Sequence, residues 1–153
     1  MSIKLKIEGL SEILLQIEKA NKSADAAAER CIREAAEIME DKLKEEMVAS
    51  DNQGVLGATG GLFFLAQQMP PYRVEKDFGK VSAHVGYHKG DYDPKNISDG
   101  YKVIFVNYGT PRRPDKQGQI KGRGFIARAK RKAAPLIKAK EEKTLKEILE
   151  NVK

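Results

Sequence analysis

Few side chains in the 153-residue sequence could catalyse a reaction or hold a metal ion. The two histidines, His84 and His88, are four residues apart. On the strand predicted for this segment they would lie about 13 Å apart, which is too far for one metal ion. Cys31, the single cysteine, falls on the apolar side of a predicted helix, where a thiol packs as a small core residue. We therefore predict no catalytic centre, no metal site and no cofactor.

Two further segments have the composition of ligand-binding loops but lack the complete patterns. Residues 91–100, DYDPKNISDG, space acidic residues somewhat as a calcium loop does, but the twelve-residue pattern with its terminal glutamate is missing. Gly57, Gly60 and Gly61 are not followed by the Lys-Ser/Thr pair that completes a phosphate-binding loop. Both segments are predicted to be solvated loops.

Positive charge is the remaining functional signal, and it is concentrated in one region. The chain has 28 Lys and Arg against 22 Asp and Glu, and residues 111–140 carry eleven basic side chains and one acidic side chain. The segment 112–132 therefore predicts a surface for an anionic partner, either nucleic acid or an acidic protein, with a solubilising loop as the alternative. The predicted contact residues are Arg112, Arg113, Lys116, Lys121, Arg123, Arg128, Lys130, Arg131 and Lys132.

Composition narrows the class of protein. A 41% hydrophobic content is enough for a core, and no apolar run approaches the ~20 residues that span a bilayer. The first ten residues lack the apolar stretch of a signal peptide, and a single cysteine fits a reducing compartment. We expect a soluble intracellular protein in which residues 1–153 form one domain.

Residue periodicity predicts an α+β fold, in which a small antiparallel or mixed sheet packs against two long helices. A stripe of small and apolar residues over 24–49 predicts the first long helix, with Glu40 and Lys44 paired on its outer side. Residues 125–153 predict the second, which Pro135 either kinks or divides. A shorter helix is predicted to follow Ser11.

The predicted strands are residues 3–7, 72–76, 80–87 and 101–109. The first alternates apolar residues with lysine, which is typical of a sheet edge, and the next two form a hairpin. Residues 101–109 are apolar on both faces, which predicts a central, covered strand. LFFLAQQ at 62–68 is predicted to be a strand or a buried turn. The flexible loops are predicted at 50–61, 88–100 and 111–124.

Several short motifs follow one another along nearly the whole chain. A helix start resembling GL-x-E-L is formed by Gly9, Leu10, Glu12 and Ile13, and a turn resembling D-T-G-x-L is formed in part by Thr59, Gly60 and Leu62. An aromatic-Gly-Thr motif is followed after a gap by a helix start of the form P-F-[LM]-x-x-A; the matching residues are Tyr108, Gly109, Thr110, Phe125, Ile126 and Ala129. This order resembles the gene-product-ten-like tail-component family of long-tailed bacteriophages, whose members are tail-completion or head–tail joining proteins.

Three places depart from the family pattern, and one of them is LFFL at 62–65, which replaces a more polar strand start. Asn107 stands where an acidic residue usually precedes the aromatic residue, and Gly124 stands where a proline usually precedes Phe125. The gap of residues 111–124 is also longer and more basic than the pattern leads us to expect. These departures bear on the conformation of the loop at residues 111–124 and on the identity of its partner more than on the fold.

The resemblance implies a non-enzymatic virion protein, made in the bacterial host cytoplasm, that assembles as a ring of six subunits. The ring would lie at the head-proximal end of the tail and contact neighbouring neck and tail proteins, with DNA passing through its lumen and no membrane involved. The basic segment would then be an assembly loop. The alternative is a small nucleic-acid-binding protein that uses residues 112–132.

Overall fold

The computed structural model describes residues 2–5, 12, 15, 24–51, 61–77, 80–87, 99–110 and 121–150. The strands of this part of the chain are β1 (Ser2–Leu5), β2 (Arg73–Asp77) and β3 (Lys80–Gly86). The helices are α1 (Ala24–Ala49), α2 (Leu62–Gln67), α3 (Asp99–Tyr108) and α4 (Phe125–Glu150). The predicted α+β class is confirmed. Glu12 and Leu15 are also helical, and the rest of the short helix predicted after Ser11 lies outside the described residues.

The three strands form one antiparallel sheet with β3 in the middle, in the order β1-β3-β2. Ile3 pairs with Val85 on one side of β3, and Val74 pairs with Ala83 on the other. The predicted hairpin is confirmed, and so is the edge position of the first strand. Ile3, Ala83 and Val85 are buried, because α1 packs against β3.

The long helices α1 and α4 pack against each other in opposite directions and have opposite net charge. Helix α1 has eight acidic and four basic residues, and α4 has eight basic and four acidic residues. Near the start of α1, the Arg30 Nη2 atom lies 2.9 Å from the Glu147 carboxylate, and the Thr144 hydroxyl donates to Glu34. The predicted pair of Glu40 and Lys44 is present at 2.5 Å. Charge complementarity therefore supports the apolar contact between these two helices.

Helix α4 continues through Pro135 and is not divided there. Proline removes the hydrogen bond to the carbonyl four residues earlier, which belongs to Arg131. Both Arg131 and Pro135 are exposed, so water can hydrate that carbonyl. The helix therefore accommodates the proline on its outer side.

The strand predicted at 101–109 is wrong, because residues Asp99–Tyr108 form helix α3. Its valine, isoleucine and aromatic residues favour strands in general, but this preference depends strongly on the surroundings. Val103 and Val106 are buried on one side of the helix, while the apolar residues on the other side face outward. Asp99 lies in the first turn and Gly109 follows the last, as is favourable for a helix. Asp99 and Gly100, which were predicted to belong to the loop 88–100, are therefore helical, and residues 88–98 lie outside the described part.

The prediction for 62–68 is also wrong, because Leu62–Gln67 form helix α2. Leu62, Leu65 and Ala66 are its buried residues, and this spacing is helical. The Leu62 N–H donates to the Asp51 carboxylate over 2.9 Å, so a side chain from outside the segment satisfies the first turn. Of the loops predicted at 50–61 and 111–124, residues 52–60 and 111–120 lie outside the described residues.

Candidate interaction site at the base of the basic segment

The chain leaves α3 and returns to the start of α4 at a single place, which we call the junction (residues 105–110 and 121–126). Gly109 has φ 82° and its N–H donates to the Phe105 carbonyl over 2.7 Å, which ends α3 with a left-handed cap. On the return, the Arg123 N–H donates to the Val106 carbonyl over 3.0 Å. The returning chain therefore satisfies a carbonyl that the end of a helix leaves free.

Asn107 connects the two helices of the junction with both its backbone and its side chain. Its carbonyl accepts a 2.9 Å hydrogen bond from the Gly124 N–H, and its Oδ1 accepts one of 2.9 Å from the Ile126 N–H. Gly124 stands directly before α4 with φ 60° and has no side chain to cap the helix. Asn107, which is only 4% exposed, supplies that cap from nineteen residues away.

The two chain segments of the junction approach too closely for a side chain at position 122. A Cβ atom on Gly122 would lie 2.6 Å from both the backbone carbon and the oxygen of Tyr108. Next to this contact, Gly109 and Lys121 form an isolated antiparallel bridge. Both ends of the intervening segment 110–120 are thus held at one point of the fold.

A cluster of polar side chains, the Glu46 cluster, connects the junction to the end of α1; it consists of Glu46, Ser50, Arg123, Arg128 and Lys132. Glu46 is 4% exposed, and its carboxylate accepts from Arg128 Nε over 2.7 Å and from the Lys132 ammonium. Arg128 also donates to the Ser50 hydroxyl and the Arg123 carbonyl, and Arg123 donates to the Ser50 carbonyl. The Lys132 ammonium and the Arg128 guanidinium lower the pKa of Glu46.

The structure divides the basic residues predicted to contact an anionic partner. Arg123, Arg128 and Lys132 belong to the Glu46 cluster, because positions 128 and 132 are one helical turn apart on the side of α4 that faces α1. Lys121, Lys130 and Arg131 are exposed and stand outside this cluster, whereas Lys132 is exposed but pairs with Glu46. The members outside the described residues are Arg112, Arg113 and Lys116.

The motif residues behind the family resemblance also fall into separate groups. The buried ones are Leu62, Phe125, Ile126 and Ala129. Tyr108 is 61% exposed, Gly109 forms the helix cap, and Thr110 is half-buried. Thr59 and Gly60 lie outside the described residues. Most of these described residues therefore serve packing or chain direction, and Tyr108 is the one that presents a large exposed surface.

Two residues of this site, Glu46 and Ser50, were not singled out from the sequence, and Asn107 was noted there only as a departure from the family pattern. Glu46 had a detectable signal, because it lies three residues after Leu43 on the apolar stripe of α1, where a carboxylate needs a partner. Ser50 had no such signal, and the sequence did not show that Asn107 caps α4, since their partners Arg128 and Ile126 are remote in sequence.

Of the residues considered for chemistry, His84 and Cys31 lie in the described part of the chain. His84 lies in β3, with its Nε2 atom 2.9 Å from the Glu75 carboxylate of β2. Cys31 is fully buried beside Ala27 and Leu145, and burial raises the pKa of its thiol to about 11. The thiol is therefore protonated at neutral pH and shielded from reagents. His88 lies outside the described residues.

Among the described residues, no group of three or more His, Cys, Asp or Glu side chains is arranged to hold a metal ion. Within those residues, no helix is both long and apolar enough to cross a membrane. Comparison of the chain with protein-family models, with curated proteins and with solved structures finds no match.

Replacing Glu46 by glutamine is expected to lower the free energy of unfolding at neutral pH by about 1–2 kcal/mol, since two charged hydrogen-bond donors lose their carboxylate while remaining partly hydrated. The pKa of Glu46 is lower in the folded protein than its ordinary value of 4.5. Its stabilisation is therefore present at neutral pH and is lost as the pH falls through the folded pKa. Urea unfolding of the wild type and of Glu46→Gln should be measured from neutral to acidic pH. The difference between their free energies of unfolding should become smaller as the pH falls.

The control for this experiment is Glu45→Gln, one position away. Glu45 is exposed and pairs with Lys42 over 2.7 Å, so its loss should change the unfolding free energy by less than about 0.5 kcal/mol. Equal effects of the two substitutions, or a Glu46 effect that does not depend on pH, would contradict the role of the Glu46 cluster.

Proposed function

We propose that this chain is a structural, non-enzymatic virion protein, acting as a tail-completion or head–tail joining component of a long-tailed phage. In the assembled particle, copies of the chain form a ring of six at the junction of neck and tail and contact neighbouring neck and tail proteins. DNA passes through the lumen of this ring.

The observation that carries this proposal is the junction. The two most informative motif segments, Tyr108–Thr110 and Phe125–Ala129, are separated by fourteen residues, and the chain around them is joined at two points. Asn107, next to the first segment, caps Ile126 of the second, and Gly109 of the first bridges to Lys121, four residues before the second. A segment whose two ends are fixed on a rigid support is suited to contact a neighbouring subunit, because the support loses little entropy on binding. This supports the role of the basic segment as an assembly loop.

The test of the proposal is the protein content and morphology of phage particles. We expect mass spectrometry of purified virions to detect the chain, and we expect deletion of its gene to leave heads and tails that do not join. Complementation with the wild-type gene should restore joined particles, and it controls for effects on neighbouring genes. Normal tailed particles from the deletion strain would refute the proposal.

The second candidate is a nucleic-acid-binding protein, and the exposure of Lys130 and Arg131 favours it. Three members of the predicted basic set are engaged in the Glu46 cluster, which leaves six for phosphate contacts: Arg112, Arg113, Lys116, Lys121, Lys130 and Arg131. Six contacts predict a slope of about −5 for the logarithm of the binding constant against the logarithm of the salt concentration.

A titration of duplex DNA against salt tests this candidate. The double variant Lys130→Gln/Arg131→Gln should reduce the magnitude of the slope by about 2, because two phosphate contacts are lost. Lys132→Gln is the matched control, since Lys132 pairs with Glu46, and its slope should equal that of the wild type. The absence of DNA binding at about 50 mM salt would exclude this candidate.

A further inference from the structure

Helix α3 is apolar on the side that faces away from the core. Its buried residues are Gly100, Val103, Val106 and Asn107. Its outward side carries Tyr101, Ile104, Phe105 and Tyr108, and the rings of Tyr101 and Phe105 meet edge to face with centroids 5.8 Å apart. Tyr101 is 40% exposed and Tyr108 is 61% exposed. A surface helix normally carries a polar face towards solvent, whereas the outward side of α3 carries two exposed aromatic rings.

The neighbouring helix α2, which contacts α3, also carries exposed aromatic residues on its outward side. Its outward residues Phe63 and Phe64 are 51% and 38% exposed. Together with Tyr101 and Tyr108 they expose about 400 Å² of aromatic side chain, taking about 200 Å² for a fully exposed aromatic residue. This is about half of the roughly 800 Å² that each partner contributes to a stable protein–protein interface.

The charge around these residues indicates the kind of partner. Residues 62–72 include no charged side chain, although a third of the whole chain is charged. On α3, Asp99 and Lys102 pair with each other over 2.9 Å, so the helix has no net charge. A nucleic acid or a strongly acidic protein would gain no electrostatic attraction at this surface. Contacts between permanently associated copies of one chain are apolar and poor in charge at their centre.

We propose that the α2–α3 face, defined as Phe63, Phe64, Tyr101, Ile104, Phe105 and Tyr108, is the surface through which one copy of this chain contacts a second copy. The inference rests on the proposed function in one respect, because a ring requires a contact between copies. It assigns that contact to an uncharged surface that is separate from the basic segment. The basic segment is thereby left available for a different partner.

The test is the mass of the purified full-length chain in solution, measured by size-exclusion chromatography with light scattering over a range of concentrations. We expect the wild type to reach a multiple of its 17.0 kDa chain mass as concentration rises. The double variant Tyr101→Glu/Tyr108→Lys should remain at 17.0 kDa. It places a negative charge near the start of α3 and a positive one at its end, so it keeps the net charge and suits the helix dipole.

The matched control is Leu136→Glu on α4, which removes a side chain that is 46% exposed outside this face. It should associate as the wild type does, and circular dichroism should show that all variants are folded. If the tyrosine variant does not fold, Phe63→Lys/Phe64→Glu tests the same face from α2. A monomeric wild type, or association that survives both double variants, would overturn the proposal. Failure of the virion experiment with self-association intact would refute only the proposed function.

Discussion

Replacing Phe125 by alanine is expected to lower the free energy of unfolding by about 3–5 kcal/mol. Phe125 is fully buried, and it is the first residue of α4, so it fixes the point where the chain enters the core after the junction. It belongs to the same core cluster as Met39 of α1 and Val103 of α3, so its loss would weaken a core that these helices share. Thermal unfolding should show a fall in Tm of roughly 6–20 °C.

Phe63→Ala is the control because it deletes the same side chain from an exposed position. Phe63 is 51% exposed, so its removal should cost no more than about 1 kcal/mol when measured in dilute protein. Similar losses for the two substitutions would mean that Phe125 is not the anchor of α4. The comparison thus separates packing of the core from general aromatic content.

Replacing Gly122 by alanine is expected to open the junction and to destabilise the protein by about 1–3 kcal/mol. The added methyl group would overlap the backbone of Tyr108, and backbone atoms cannot turn aside as the end of a side chain can. Hydrogen exchange should detect the change locally, because the Arg123 and Gly124 amides that donate to α3 should lose protection.

Gly124→Asn provides the comparison within the same segment. No atom lies within 4 Å of a Cβ at position 124, and asparagine tolerates the φ of 60° found there better than other side chains do. It should therefore retain the amide protection that Gly122→Ala loses. If Gly122→Ala kept wild-type protection and stability, the close approach of the two segments would not be needed for the junction.

The parts of the fold that were predictable are those determined by neighbouring residues. The long stripe over 24–49 and the hairpin around residues 78–79 are local patterns, and both were predicted correctly. The lysine-bearing first strand was likewise placed at a sheet edge from its own five residues. In each case, periodicity or turn chemistry within a few residues was sufficient.

The errors arise where a distant residue decides the conformation. The first turn of α2 is satisfied by Asp51, and the last carbonyls of α3 accept hydrogen bonds from the Arg123 and Gly124 amides. These partners lie outside the segments 62–68 and 101–109, and the β-favouring composition of 101–109 indicated a strand instead. The basic segment was found by counting charges. Which of its residues are paired and which are left for a partner depends on Glu46, whose position follows from the packing of α1 on α4.

The bridge between Gly109 and Lys121 has a practical consequence for locating this protein in a larger assembly. Because the ends of the enclosed segment are already in contact, lengthening that segment adds little closure entropy, only about 0.6 kcal/mol for each doubling of its length. A peptide label inserted in the middle of residues 111–120 should therefore leave the core unchanged. Such a label would allow electron microscopy to mark the position of each copy of the chain.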